Sequence, residues 1–378
     1  MKIFLNASWR TFQLAAFSAL AIVGAYFVML PAMAEPLAAK ARSSTRAPQA
    51  LMLAMASAGT RLVAVGERGL AIYSDDHGTS WTQAEVPVAV TLTAVHFADA
   101  HHGIAAGHDG ALLTSSDGGT RWQLRLDGNG VNALVQNDAQ QAALGARAAL
   151  AAATAGGKAQ AKAALAAAER AVDDAREAAK FGPSRPLLAV WMRDAQTAFA
   201  AGAFGQLLRS RDGGASWQSL ASRIANPDGL HYNAFGHGAD GALLIAGEAG
   251  RVYRSLDAGD SWRTLDTGYQ GQLYGVAGTP SGLLAYGFGG HLLRSRDGGA
   301  SWSALPLLGS RALVGAGTAP DGALLLAARD GVIYRSNDGG QSFSSTTSAR
   351  GRELSALALV GSKLYLAGMG GVQVVTQH

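Results

Sequence analysis

The chain has 378 residues, with 31 Lys and Arg against 27 Asp and Glu, a formal net charge of +4 and no cysteine. Charged residues make up 15% and glycines number 49, which excludes a disordered polyelectrolyte and fits many short strands joined by tight turns. The absence of cysteine excludes a disulfide framework, thiolate chemistry and a lipid-modified cysteine anchor.

Residues 1–34 read as an export signal. Lys2 and Arg10 precede an apolar run from Leu14 to Leu30, and Ala32-Met33-Ala34 supplies the small residues of a cleavage site after Ala34. The alternative is a retained anchor, because the run approaches the roughly 17 residues that span a bilayer. Either route delivers the rest of the chain to the periplasm. Cleavage leaves 29 bases against 27 acids, a balance that gives no footing for nucleic acid.

Residues 35–378 repeat. The pattern S-x-D-x-G-x-x-W occurs at Ser74-Asp76-Gly78-Trp81, Ser115-Asp117-Gly119-Trp122, Ser210-Asp212-Gly214-Trp217, Ser255-Asp257-Gly259-Trp262 and Ser295-Asp297-Gly299-Trp302, with a sixth copy, Ser336-Asp338-Gly340-Phe343, ending in Phe. The aromatic positions are 41, 95, 45, 40 and 41 residues apart, so one period is a four-stranded antiparallel blade and the long gap holds an insertion. In each box the Asp accepts from turn amides, Gly supplies positive φ and the aromatic residue plugs the next strand. The six aspartates, Asp76, Asp117, Asp212, Asp257, Asp297 and Asp338, are thus turn acceptors rather than catalytic acids.

Ahead of each box an apolar strand, a G-x-x-G turn and a second apolar strand recur. The turns begin at Gly66, Gly107, Gly202, Gly247, Gly287, Ala328 and Gly368. Seven turns predict an all-β, seven-bladed β-propeller, with a segment near Pro36–Arg42 as the closing outer strand of the last blade. The turns lead from strand to strand rather than into a helix, which argues against phosphate loops.

The insertion, residues 138–182, is Ala-rich from Asp138 to Lys180, broken at Gly156-Gly157 and stopped at Gly182-Pro183. It predicts a helical hairpin of two helices, each of about 18–22 residues, with Arg170–Asp174 and Asp173–Arg176 pairs along the second. A low-complexity linker is the alternative. By its place between an outer and an inner strand, the arm rises on the same face as the G-x-x-G turns.

That face gathers the turn residues and the starts of the inner strands, among them Arg185, Tyr232, Arg311 and Arg352. On the opposite face, Arg209, Arg254, Arg294 and Arg335 each precede a box Ser, and Arg211 and Arg296 fall two residues later. This arc is either a docking surface for an acidic partner or a set of edge charges paired with neighbouring acids. The sequence points to no metal site, since the neighbouring His101 and His102 point to opposite sides of an extended chain, and to no cofactor. The rival function is a sialidase-like glycoside hydrolase or carbohydrate-binding propeller, with Arg185, Arg311 and Arg352 around Glu248 and Tyr232. However, no Arg-Ile-Pro motif precedes Ser74.

The boxes, the strand pair before them, the R-S-x-D-G-G-x-S-W form and the export signal together resemble the photosystem II stability and assembly factor family over residues 49–376, apart from the arm. The resemblance implies a monomeric, non-enzymatic propeller that binds a membrane protein or membrane-associated complex through an arginine-rich surface. For relatives outside photosynthetic hosts it implies a possible link to an export transporter. The Ala-rich arm departs from the photosynthetic type.

Overall fold

The computed structural model describes residues 37–306, 309–347 and 352–375; the expected signal segment lies outside them. The described strands form seven antiparallel sheets, six of four strands and one of three, each in sequence order. The first strands of the blades (Met52–Ala58, Leu92–Phe97, Leu187–Met192, Tyr232–His237, Leu273–Thr279, Leu313–Thr318 and Leu354–Val360) pack in a ring, the last against the first. The fold is the expected seven-bladed propeller with an inserted helical hairpin.

The second strand of each blade is covered on both sides and reads accordingly as a continuous apolar run, such as Gly103–Gly107 (GIAAG) and Leu324–Ala328 (LLLAA). Neighbouring blades interlock through these runs: Ile104 and Leu112 of blade 2 share a cluster with Leu187, Ala200 and Leu208 of blade 3.

The G-x-x-G spacing follows from close backbone approach. A Cβ at Gly66 would come 2.0 Å from Leu51 O, and one at Gly368 2.1 Å from Glu353 O, so the first position stays bare in six of seven blades. Antiparallel order puts these turns and the blade-to-blade connections on one face, the turn face, and the boxes on the other, the box face.

The closing strand expected near Pro36–Arg42 does not form. Ala41 N donates to Val86 O (3.1 Å), Gln83 Nε2 to Arg42 O (2.9 Å) and Ser44 N to Gln83 Oε1 (2.9 Å), so residues 37–44 follow the outer strand of blade 1 instead. Leu37 and Ala41 hold them there by packing against the apolar cluster of blades 1 and 2 that includes Val86 and Val88. The short 3-10 turn Ala47–Gln49 then reaches blade 7, where a Cβ on Gly371 would meet Pro48 O at 1.9 Å. Blade 7 has three strands among the described residues.

The arm consists of α1 (Gly128–Ala152) and α2 (Lys158–Ala179). Helix α1 starts ten residues before the Ala-rich stretch, because the Asp127 side chain caps Gly130 N (2.8 Å) and Val131, Leu134 and Val135 root the first turns against blades 2 and 3. Asp138 fastens this root to blade 3, accepting from Ser219 Oγ (3.0 Å), Ser222 N (2.9 Å) and Ser222 Oγ (2.7 Å). The helices meet through Ala139, Ala143, Ala175 and Ala178. The Asp173–Arg176 pair forms (3.1 Å), but no ion pair joins Arg170 to Asp174. Burial lowers the proton affinity of Arg185, and the charge of Asp174 offsets part of that loss.

Candidate functional site

The box turns are closed hydrogen-bond rings. In the first, Ser74 Oγ donates to Asp76 Oδ1 (2.8 Å) and accepts from Gly78 N (2.8 Å), while Asp76 accepts from Ser80 N (2.9 Å) and Ser80 Oγ (2.6 Å). Asp212, Asp257, Asp297 and Asp338 repeat this set with Ser216, Ser261, Ser301 and Ser342. Asp117 differs, accepting from the amides of Thr120 and Arg121. The Ser hydroxyl bonds, followed by the Ser amide bonds, hold Asp76, Asp212 and Asp257 down at about 2 and push Asp297 and Asp338 down as well. With its lone pairs so engaged, each carboxylate holds its turn closed.

On the same face the arginine arc is largely spent on the propeller itself. Arg209, only 4% exposed, reaches the box loop of blade 4, donating to Ala258 O (2.9 Å) and Asp260 Oδ1 (2.7 Å), and Arg211 shares that carboxylate (3.3 Å). Arg254 pairs with Asp240 and Arg335 with Asp321, both within their own blades. Arg296 is exposed. Arg294 is the exception, with Nε and Nη1 buried and without hydrogen-bond partners among the described residues. Arg61 makes a similar link between blades 1 and 2, donating to Thr120 Oγ1 (2.8 Å) and to the carbonyls of Asp117 and Gly118 (3.3 Å each).

The turn face is arranged differently. Phe204 at the blade 3 turn is 55% exposed, Phe288 at the blade 5 turn 61% and Met369 at the blade 7 turn 57%, while Phe181, where the arm returns, is 79% exposed. The arrangement follows from the turn backbone, which dictates only where glycine sits: Phe204 holds φ 56° before Gly205 and its ring is free to project. Arg185, half-buried, lies over the Phe204 ring at 4.9 Å, and burial lowers the proton affinity of its guanidinium. Phe204 in turn meets His231 edge-on at 4.8 Å. Glu248 accepts from His231 N (2.8 Å) and from Gln272 Nε2 (3.0 Å). Next to Gln272, Tyr269 stacks on His291 at 4.3 Å and its hydroxyl donates to Phe288 O (3.2 Å). Phe288 N also donates to Gln272 O (3.0 Å), so a ribbon of aromatic and charged groups runs from blade 3 to blade 5, beginning beside the arm.

Of the residues expected on this face, Arg185 lies in the ribbon, whereas Arg311 and Arg352 are exposed at the starts of blades 6 and 7 and no contact joins the three. Tyr232 is not on the surface at all. It opens its inner strand at the position that is buried in every blade, as Met52, Leu92, Leu187, Leu273, Leu313 and Leu354 are, and its ring packs edge-on against Tyr253 (5.0 Å), where burial pushes the phenol well above its usual range. Gln272 and His291 carry no sequence signal of their own; their only mark is adjacency to a strand end.

Polar side chains join neighbouring inner strands. Thr93 Oγ1 donates to Leu187 O (2.6 Å) and Asn233 Nδ2 to Leu273 O (2.9 Å), linking blade 2 to 3 and blade 4 to 5. His96 Nδ1 accepts from Met192 N (3.1 Å), which fixes the neutral ring with its proton on Nε2. Burial, with His237 nearby, lowers this histidine to about 4.

Comparison with known proteins agrees with this architecture. The sequence profile of the family described as "Photosynthesis system II assembly factor YCF48" matches residues 73–140, which span the first box, all of blade 2 and the root of the arm. No curated protein matches the chain. Among solved structures, "YCF48 bound to D1 peptide" superimposes with a TM-score of 0.61 at 16% identity, covering 88% of this chain and 95% of that one. "YCF48 from Cyanidioschyzon merolae" gives 0.58 at 14%, covering 89% and 97%. The "WD40 beta propeller domain of Doa1" gives 0.57 at 10%, covering 91% and 97%. The chain is an Asp-box, seven-bladed propeller that resembles the photosystem II assembly factor family.

Proposed function

We propose that this chain is a non-catalytic periplasmic assembly or accessory factor that holds a segment of a membrane protein complex on its turn face, with the arm as a second contact. The observation that carries the reading is the ribbon from Arg185 to His291, with Phe204 and Phe288 exposed on rigid turns, since large apolar groups held out on a stiff scaffold fit binding. Among the similar structures, YCF48 bound to a D1 peptide, together with the family profile over residues 73–140, supports a protein ligand. A hydrolytic site lacks support: Glu248 is committed to His231 N and Gln272, and the box aspartates to their turns.

The test is capture of membrane partners from detergent-solubilised membranes by the intact chain, by Phe204→Ser/Phe288→Ser, and by a chain lacking residues 138–180. Mass spectrometry then names the captured complex, whether a photosystem subunit, an export transporter or another assembly. Loss of capture in the double variant is expected. Full capture by that variant, or turnover of sialosides or other glycosides by the intact chain, would overturn the reading.

A further inference from the structure

Six blades cover their third strand with a fourth, of two to four residues. Blade 7 does not. Its third strand, Gly371–Val375, pairs with Lys363–Gly368 on one side and has no strand on the other among the described residues. The N-terminal segment that could have covered it is engaged on blade 1 over residues 37–44; its turn Ala47–Gln49 lies against the start of the open strand at Gly371, with Ala47 and Ala50 in the core shared with blade 7, and forms no strand pairing there. An open strand edge offers a row of backbone donors and acceptors, and Val374, beside Gly78 of blade 1, is still 42% exposed.

The charges around this edge are of one sign. Arg352, together with Leu354 and the stretch from Gly368 to Gln373, lines a depression at the start of the open strand. Lys363 opens the neighbouring strand, and Arg46 precedes the turn that packs against it. All three are exposed, and none has an ion pair among the described residues. Residues 37–53 contain no acid and residues 352–375 only Glu353. The acids of the adjoining blade 1 box are committed, Asp75 to Arg61 and Asp76 to its own turn.

We propose that the open edge of blade 7 is a second docking site, which takes an extended, acidic segment of a partner polypeptide as the missing fourth strand. Main-chain pairing supplies the affinity and the Arg46–Arg352–Lys363 set selects acidic side chains. The site is separate from the Arg185–His291 ribbon, so either reading can fail while the other stands.

The probe is an acetylated octapeptide alternating glutamate or threonine with valine, EVEVTVEV, set against its lysine counterpart KVKVTVKV. Binding to the full chain is followed by fluorescence polarisation, and the site by hydrogen exchange. The acidic peptide is expected to bind at least tenfold more tightly than the basic one and to slow amide exchange within residues 371–375. Arg352→Glu/Lys363→Glu, checked for an unchanged melting temperature, is expected to weaken binding at least tenfold, while Phe204→Ser/Phe288→Ser leaves it unchanged. Exchange in residues 371–375 that is indifferent to bound peptide overturns the proposal. So does protection already present without peptide, whether it disappears on dilution, which assigns the edge to a second copy, or on removal of residues 1–36, which assigns it to the chain's own segment.

Discussion

His96 gives the inner ring a measurable pH dependence. Its Nδ1 accepts from Met192 N, so protonation must break that bond and place a charge among the inner strands of blades 2 to 4. Burial first, and His237 second, bring it from the ordinary 6.5 down to about 4. A folded-state value below the unfolded one means that the unfolded chain binds the proton more readily between those limits. The stability linked to His96 is therefore complete above about pH 6.5 and is lost as pH falls toward 4. That interval corresponds to about 3 kcal/mol, or roughly 4 °C in melting temperature for a chain of this length. His96→Gln keeps an acceptor for Met192 N and removes the titration. The experiment is a urea or thermal melt of both proteins at several pH values between 7.5 and 4, and the stability gap between them should move by about 3 kcal/mol in favour of the variant as pH falls. The aspartates of the boxes do not blur this window: their lowered values, about 2 for Asp76, Asp212 and Asp257, place their own losses below about pH 4. Parallel pH curves for the two proteins would refute the reasoning.

Five further variants have expected outcomes. Arg209→Met, which removes a nearly buried guanidinium bridging blades 3 and 4, should lower stability by about 1–3 kcal/mol and leave partner capture intact; lost capture in a protein that melts normally would return the arc to a docking role. Asp138→Ala removes three hydrogen bonds at the root of the arm and should speed amide exchange in the first half of α1 without shifting the melting of the propeller. Gly66→Ala puts a Cβ 2.0 Å from Leu51 O and should cost about 3 kcal/mol in chemical denaturation, whereas Gly145→Ala, with nothing within 4 Å in an exposed helix, should raise helix stability by about 0.5–1 kcal/mol. Phe204→Ser/Phe288→Ser should lower capture of the membrane partner at least tenfold with an unchanged melt, because both rings are solvent-facing and their removal leaves no cavity.

The blade count was legible because both of its markers are forced locally. A positive φ favours Gly, a turn needs an acceptor, and a carbonyl about 2 Å from a would-be Cβ keeps the first turn position bare in six of the seven blades. What sequence could not supply was the partner across a gap. Arg209, Arg254 and Arg335 recur at one register, yet their acids come from different places: Asp260 from the next blade, Asp240 and Asp321 from the blade's own first loop. Tyr232 was misplaced for a different reason: the first residue of an inner strand is buried in every blade, and the apolar residues at that place in the other six, Met52, Leu92, Leu187, Leu273, Leu313 and Leu354, are the signal for it. The start of α1 was missed because composition marks where alanine becomes dense, while the helix begins where Asp127 can cap it. For the segment near Pro36–Arg42, two apolar side chains that fit blade 1 decided the path.

These cases separate the two faces of the propeller by what the repeat leaves free. On the box face the same residue types recur in blade after blade because each turn requires the same hydrogen bonds, so regularity there reports construction. The turn face reuses a glycine-bounded turn in six of its seven blades, and the third position of the turn differs from blade to blade: Arg68, Asp109, Phe204, Ala249, Gly289, Asp330 and Gly370. Side chains that vary around a constant scaffold are free to specify a ligand. The structure adds what variation alone does not show, which is that the ones in blades 3 to 5 are joined by direct contacts into one ribbon beside the arm. A partner that reads this face is therefore expected to lie across several blades, and substitutions at Phe204 and Phe288, two blades apart, should weaken it by more together than the product of their separate effects if it is a flexible chain that can shift along the ribbon to spare one lost anchor, and by that product if it is rigid.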